Sequence, residues 1–152
     1  MKDGRTKAKG KPKAVVWSDD LRIGIDEVDR EHQALFLYFN ELLAAADRHA
    51  DAPETSREAI AKLELMFREH FEHEEKLMLE TGYPGYHGHK DRHDEFFSIL
   101  RSFTAFQPEV GGFDGFFLSV FRNWILYHIS VSDREIGLYL QRRNAAAPSD
   151  EP

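Results

Sequence analysis

Six side chains interrupt apolar helical stripes in this chain: His32, His70, Glu74, His89, His93 and His128. Their residue types are those of a metal site, since imidazole and carboxylate are ligands for divalent transition metals. His70 and Glu74 are four residues apart, as are His89 and His93, and the latter is the only histidine pair at that spacing. Residues four apart share a helix face about 6 Å apart along the axis, so each pair converges on one metal or on two adjacent ones. A single histidine on an apolar face is ordinarily a satisfied core residue. The same interruption on four separate helices is not, because unpartnered buried polar groups cost roughly 1–3 kcal/mol each. A shared metal satisfies them together.

The elements that position these residues follow from apolar periodicity. A first helix is predicted over about Asp26–Arg48, with the stripe Val28, His32, Leu35, Phe39, Leu42 and Ala46 at alternating spacings of four and three. A second starts near Pro53 and ends before Gly82, with Ile60, Leu63, Phe67, His70, Glu74 and Leu77 on its face. After the turn Gly82-Tyr83-Pro84-Gly85, a third runs from about His87 to Phe106, with His89, His93, Phe96, Leu100 and Phe103 inward. A fourth runs from about Phe113 to Arg143, with Phe117, Phe121, Trp124, His128 and Val131. The fold class is all-α, an antiparallel up-down-up-down four-helix bundle behind an extended N-terminal arm around residues 15–25. His32 lies early in its helix, His70 and Glu74 late, His89 and His93 early, and His128 in the middle to later part. In an antiparallel bundle these levels coincide. Asp133 follows His128 by five residues, about 140° around an ideal α-helix, beside the seam. A local π-type widening would bring it inward, and spacing alone leaves its role open.

Composition narrows the function. The 152 residues contain no cysteine, which removes disulfides, thiolate metal sites and cysteine catalysis. Residues 1–13 carry six basic residues and Asp3, a net +5, so the remaining chain holds −12 of the total −7. An acidic body argues against nucleic-acid binding. Residues 1–13 are expected to be a disordered basic tail, residues 14–143 the bundle, and residues 144–152 a frayed tail. No apolar run approaches a membrane span, and the basic start lacks a signal-peptide core, so a soluble cytoplasmic monomer is expected.

These residues together resemble the hemerythrin family, specifically its single-domain bacterial branch. The resemblance spans about Trp17 to Leu140. It rests on Trp17, on Ile23-Gly24-Ile25-Asp26 leading to His32, and on His70-Phe71-Glu72-His73-Glu74-Glu75-Lys76-Leu77-Met78. Gly82-Tyr83-Pro84, His89, His93, Trp124-Ile125-Leu126-Tyr127-His128 and Asp133 complete it. The resemblance implies two iron ions bridged by an oxo or hydroxo group. His89, His93 and His128 hold one, His32 and His70 hold the other, and Glu74 and Asp133 bridge them. The second ion then has one open position for dioxygen. The implied function is reversible dioxygen binding for storage, delivery or transport, with no catalytic residues. An oxygen-consuming or signalling protein is the implied kind of partner.

Phe71, Trp124, Ile125 and Ile129 flank the ligands at helical spacing and are candidates for lining a dry dioxygen pocket, with ordinary core packing as the alternative. Glu31 and Glu75 are candidate acceptors for ligand imidazoles, with solvated surface acids as the favoured alternative, and His49, His73 and His87 are read as solvent-facing. An oxygen, nitric oxide, redox or iron sensor would use the same ligands. A ferritin-like oxidase would need a carboxylate-x-x-His motif on each of two helices. Here the only such spacing is Asp29–His32.

Overall fold

Gly82 sets the sharp reversal between the second and third helices of the bundle. Its φ of +67° is left-handed, a conformation glycine adopts at no steric cost. Tyr83 N–H donates to the Met78 carbonyl at 2.9 Å and Gly82 N–H to Leu79 at 3.2 Å, the paired bonds of a Schellman ending. In the computed structural model, which describes residues 12–48, 53–106 and 115–146, this reversal joins two of four long rods. The rods are α1 (Asp26–Arg48), α2 (Pro53–Thr81), α3 (Tyr86–Phe106) and a fourth built in three pieces. That rod is α4 (Gly115–Tyr127), a π-helical turn over His128–Asp133, and α5 (Arg134–Ala146). Helix α1 packs on α2, and α2 on α3. No strand occurs among the described residues, and no helix there is long and apolar enough to cross a membrane.

The expected stripes are buried or, at Ala46, Leu77, Phe103 and Trp124, half-buried, and two positions depart from expectation. On α2, Leu77 is only half-buried and its neighbour Met78 takes the core place. On the fourth rod, Val131 is 39% exposed, while Ser132, Asp133 and Ile136 are buried. The π turn causes the second correction: widening the helix shifts the inward face after His128, so extrapolating the α-helical period fails there. The last helix also extends three residues past Arg143, to Ala146. The expectation for the basic tail falls mostly outside the described residues, as do His49 and Phe113.

Below the polar level, the core is an aromatic stack. Phe39 lies on Phe121 at 5.6 Å, and Phe67 on Phe96 at 4.4 Å. The N-terminal arm closes one side. It contains a short 3-10 turn (Asp19–Leu21), and Asn40 exchanges two hydrogen bonds with the backbone of Val15. The buried Asp29 carboxylate accepts from the N–H groups of Ile23 and Gly24 at 2.9 and 3.2 Å. The arm crosses α5 at Gly137, where an added Cβ would overlap the Ile23 carbonyl oxygen.

Candidate metal centre

One level of the bundle is polar, and every rod contributes to it. The first turns of α1 bring His32. The last turns of α2 bring His70 and Glu74, and the first turns of α3 bring His89 and His93. The π turn brings His128 and Asp133. All seven are buried, none more than 3% exposed. Their ligating atoms form two groups, each within 4.8 Å: Glu74, His89, His93 and His128 in one, and His32, His70, Glu74 and Asp133 in the other.

Asp133, left open by spacing, is carried inward by the π turn. An i→i+5 helix aligns residues five apart, and His128 Nε2 lies 3.1 Å from Asp133 Oδ1. Each carboxylate then spans both groups. Asp133 Oδ1 faces His89 at 3.3 Å as well as His128, while Oδ2 faces His32 at 3.1 Å. Glu74 Oε2 faces His93 at 3.3 Å, His89 at 3.5 Å and His70 at 3.7 Å, while Oε1 lies 3.9 Å from His32. Adjacent ligands on an octahedral ion with bonds of about 2.1 Å are separated by about 3.0 Å. The observed spacings lie at or somewhat above that edge length.

These close pairs are not hydrogen bonds. Ten buried side-chain atoms at this level have no hydrogen-bond partner: both nitrogens of His32 and of His89, Nε2 of His93 and of His128, and all four oxygens of Glu74 and Asp133. At roughly 1–3 kcal/mol for each unsatisfied group, the cost is of order 10–30 kcal/mol. That equals or exceeds the whole stability of an ordinary domain, about 5–15 kcal/mol. Eight of the ten atoms, the four Nε2 nitrogens and the four carboxylate oxygens, converge without bonding one another, as donors directed at a common third body do. Burial pushes the Glu74 carboxyl up, but His70, His89, His93 and His32 outweigh it and hold it well below the usual range. Burial and the Glu74 charge push Asp133 up, and His128 and His32 outweigh them to hold it at about 2. Two buried, ionised carboxylates need compensating positive charge. The residues therefore fit a pair of metal cations.

The outer nitrogens show what spacing along one helix leaves open. Glu31 Oε2 accepts from His70 Nδ1 at 2.8 Å, and Glu75 Oε1 from His93 Nδ1 at 2.9 Å. Of the two readings the sequence leaves for these acids, the structure shows the less favoured one: each is half-buried and orients an imidazole. The partners sit on neighbouring helices, at separations of 39 and 18 residues, so no local spacing reveals them. Arg92 donates to the buried Ser132 hydroxyl at 3.1 Å, tying α3 to the π turn. His73, expected to face solvent, is largely exposed but is hydrogen-bonded to Glu31; His87 is exposed.

Phe71 stacks on His93 with centroids 3.7 Å apart, and Trp124 on His128 at 4.4 Å. Ile125 and Ile129 are fully buried. Phe71 and Trp124 thus press on the three-histidine group. The His32 side is faced instead by Trp17 from the arm, at 6.3 Å.

Residues 23–139 match the family described as the hemerythrin HHE cation binding domain. The chain is 31% identical over 122 residues to a myohemerythrin from Riftia pachyptila, a span covering 80% of this chain and 90% of that protein. It is 30% identical over 125 residues to a bacteriohemerythrin from Clostridium acetobutylicum, covering 79% and 96%. The fold superposes on a crystal structure of wild-type hemerythrin with a TM-score of 0.74 at 20% identity, covering 82% of this chain and 96% of the other. Sequence and fold agree, and the chain belongs to the hemerythrin family.

Proposed function

We propose that this protein binds dioxygen reversibly at a pair of non-haem iron ions. His89, His93 and His128 would hold one ion, His32 and His70 the other, with Glu74 and Asp133 bridging them beside a solvent-derived oxo or hydroxo group. The iron pair supplies, when bound, reversible two-electron exchange with dioxygen. The converging, unpartnered Nε2 atoms of His32, His89, His93 and His128 and the four oxygens of Glu74 and Asp133 carry this reading. The donors divide unequally: three imidazoles and two carboxylates serve one ion, two imidazoles and two carboxylates the other. A small ligand therefore has its place on the His32–His70 side.

The residues around the site favour binding over onward chemistry. Five neutral imidazoles and two carboxylates keep the net charge of a divalent pair low. Phe71 and Trp124 press on ligand rings, and Ile125 and Ile129 seal the adjacent core, which excludes water. Glu31 and Glu75 fix the orientation of His70 and His93, so ligand exchange need not rearrange the rings.

The test is an iron assay with the optical spectrum of protein reduced without oxygen and then exposed to air. Two irons per chain, with a visible charge-transfer band that appears in air and disappears when oxygen is removed, are expected. Irreversible oxidation without that band would overturn reversible carriage, and purified protein that takes up no iron would overturn the metal assignment.

A further inference from the structure

A second group of metal-binding side chains lies outside the buried centre. Glu27 and Glu31 on α1 and His73 on α2 each offer one ligand atom within 4.8 Å of the others. Two carboxylates and one imidazole form a mixed donor set of the kind that holds ferrous and manganous ions. Among the described residues, no lysine or arginine forms an ion pair with Glu27 or Glu31, and Glu31 is paired with His70 and His73.

Two features connect this group to the interior. Glu31 is shared: one oxygen faces His73 Nδ1 and the other holds His70 Nδ1 at 2.8 Å. Clefts also open on both sides of His73. One, of about 240 Å³, is lined by Glu27, His73, Lys76 and Glu80 among others. The other, of about 140 Å³, is lined by Glu31, Glu69, His70 and His73 with Leu35 and Met66. The second cleft thus reaches from the outer group to a side chain of the buried centre.

We propose that Glu27, Glu31 and His73 form an outer divalent-cation site from which a metal ion is delivered to the buried centre past His70. The ion binds neutral His73 and the two carboxylates, releasing to solvent the proton shared by His73 and Glu31. It then passes through the smaller cleft without changing oxidation state. The delivery step rests on the di-iron reading above; the outer site does not.

The experiment uses full-length protein with its centre filled, titrated with Mn²⁺ while the electron paramagnetic resonance signal of the free ion is followed. Wild type is expected to bind one Mn²⁺ per chain beyond the filled centre. Glu27→Gln and His73→Gln should each weaken that binding by at least about tenfold. Neither should change final iron content, and Glu27 forms no hydrogen bond or ion pair with the seven buried residues. Iron uptake by metal-free protein at limiting Fe²⁺ should slow several-fold in both variants and still end at two per chain. Absence of outer Mn²⁺ binding, or binding indifferent to both substitutions, overturns the site. Lost Mn²⁺ binding with unchanged uptake rates overturns delivery. Protein that binds outer Mn²⁺ but never takes up iron overturns the di-iron reading and delivery together, with the outer site upheld.

Discussion

Glu75 on α2 holds the outer nitrogen of His93 on α3, with Oε1 2.9 Å from Nδ1. The inner nitrogen of the same ring faces Glu74, the residue adjacent to Glu75. Two consecutive acids of one helix therefore grip opposite sides of one imidazole. Replacing Glu75 with Ala frees the ring while leaving all seven centre residues in place. Metal affinity should fall about 10–100-fold. Competition with a chelator measures this, and an unchanged affinity would show that stacking on Phe71 alone fixes His93.

His32→Ala removes one of the two imidazoles on the side where dioxygen is placed. Stable dioxygen binding should be abolished and iron content reduced. A variant with full iron and a normal reversible spectrum would contradict the division of donors.

Removing the metal restores the cost of the eight unpartnered atoms that converge on it, four Nε2 nitrogens and four carboxylate oxygens. Chelator-stripped protein should lose well over about 3 kcal/mol of stability, seen as a large drop in Tm and weakened near-ultraviolet circular dichroism. A stripped protein melting where the loaded one does would mean those atoms have found partners among themselves.

The Glu31–His73 contact has a defined pH window. The hydrogen bond and charge of Glu31 raise His73 above its ordinary 6.5, so its contribution is complete below that pH and is lost as pH rises through the raised value. Burial pushes Glu31 up, but hydrogen bonds from His70 and His73 prevail and hold it below 4.5. Its contribution is complete above that pH and is lost on acidification. The pair is therefore intact between about 4.5 and 6.5. NMR of the His73 ring in metal-free protein should give a midpoint above 6.5; one at or below it would show that the contact does not persist in solution.

Gly137→Ala would drive a methyl into the Ile23 carbonyl where the arm crosses α5. A loss of about 1–3 kcal/mol is expected, or a Tm lower by roughly 3–10 °C. Unchanged melting would mean that the arm lifts away at little cost.

The four rods were legible because apolar period and the breaks at Pro53 and Gly82 are local signals. The six imidazole and carboxylate interruptions were legible for the same reason, since a polar group on an apolar stripe stands out within one turn. What failed was whatever depends on a partner helix or a change of helical pitch. Val131 continues the stripe in sequence yet faces out, because the pitch widens after His128. Glu31 and Glu75 stayed open between solvent and a ligand imidazole because their partners belong to other rods. Met78 replaced Leu77 because the two sit side by side, and only packing chooses between them.

The π turn over His128–Asp133 has one more consequence, best put as helical phase. An α-helix advances 100° per residue, so a rod with one residue too many in one turn points everything downstream in a new direction. Asp133, Ile136 and Gly137 all take their bearing from that offset. One faces the buried centre, one the core, and one the gap through which the arm passes. Deleting a single residue from this turn would restore regular pitch and rotate all three away at once. The centre and the strap that closes over it are thus set by the same one-residue surplus, and neither can drift in sequence without the other.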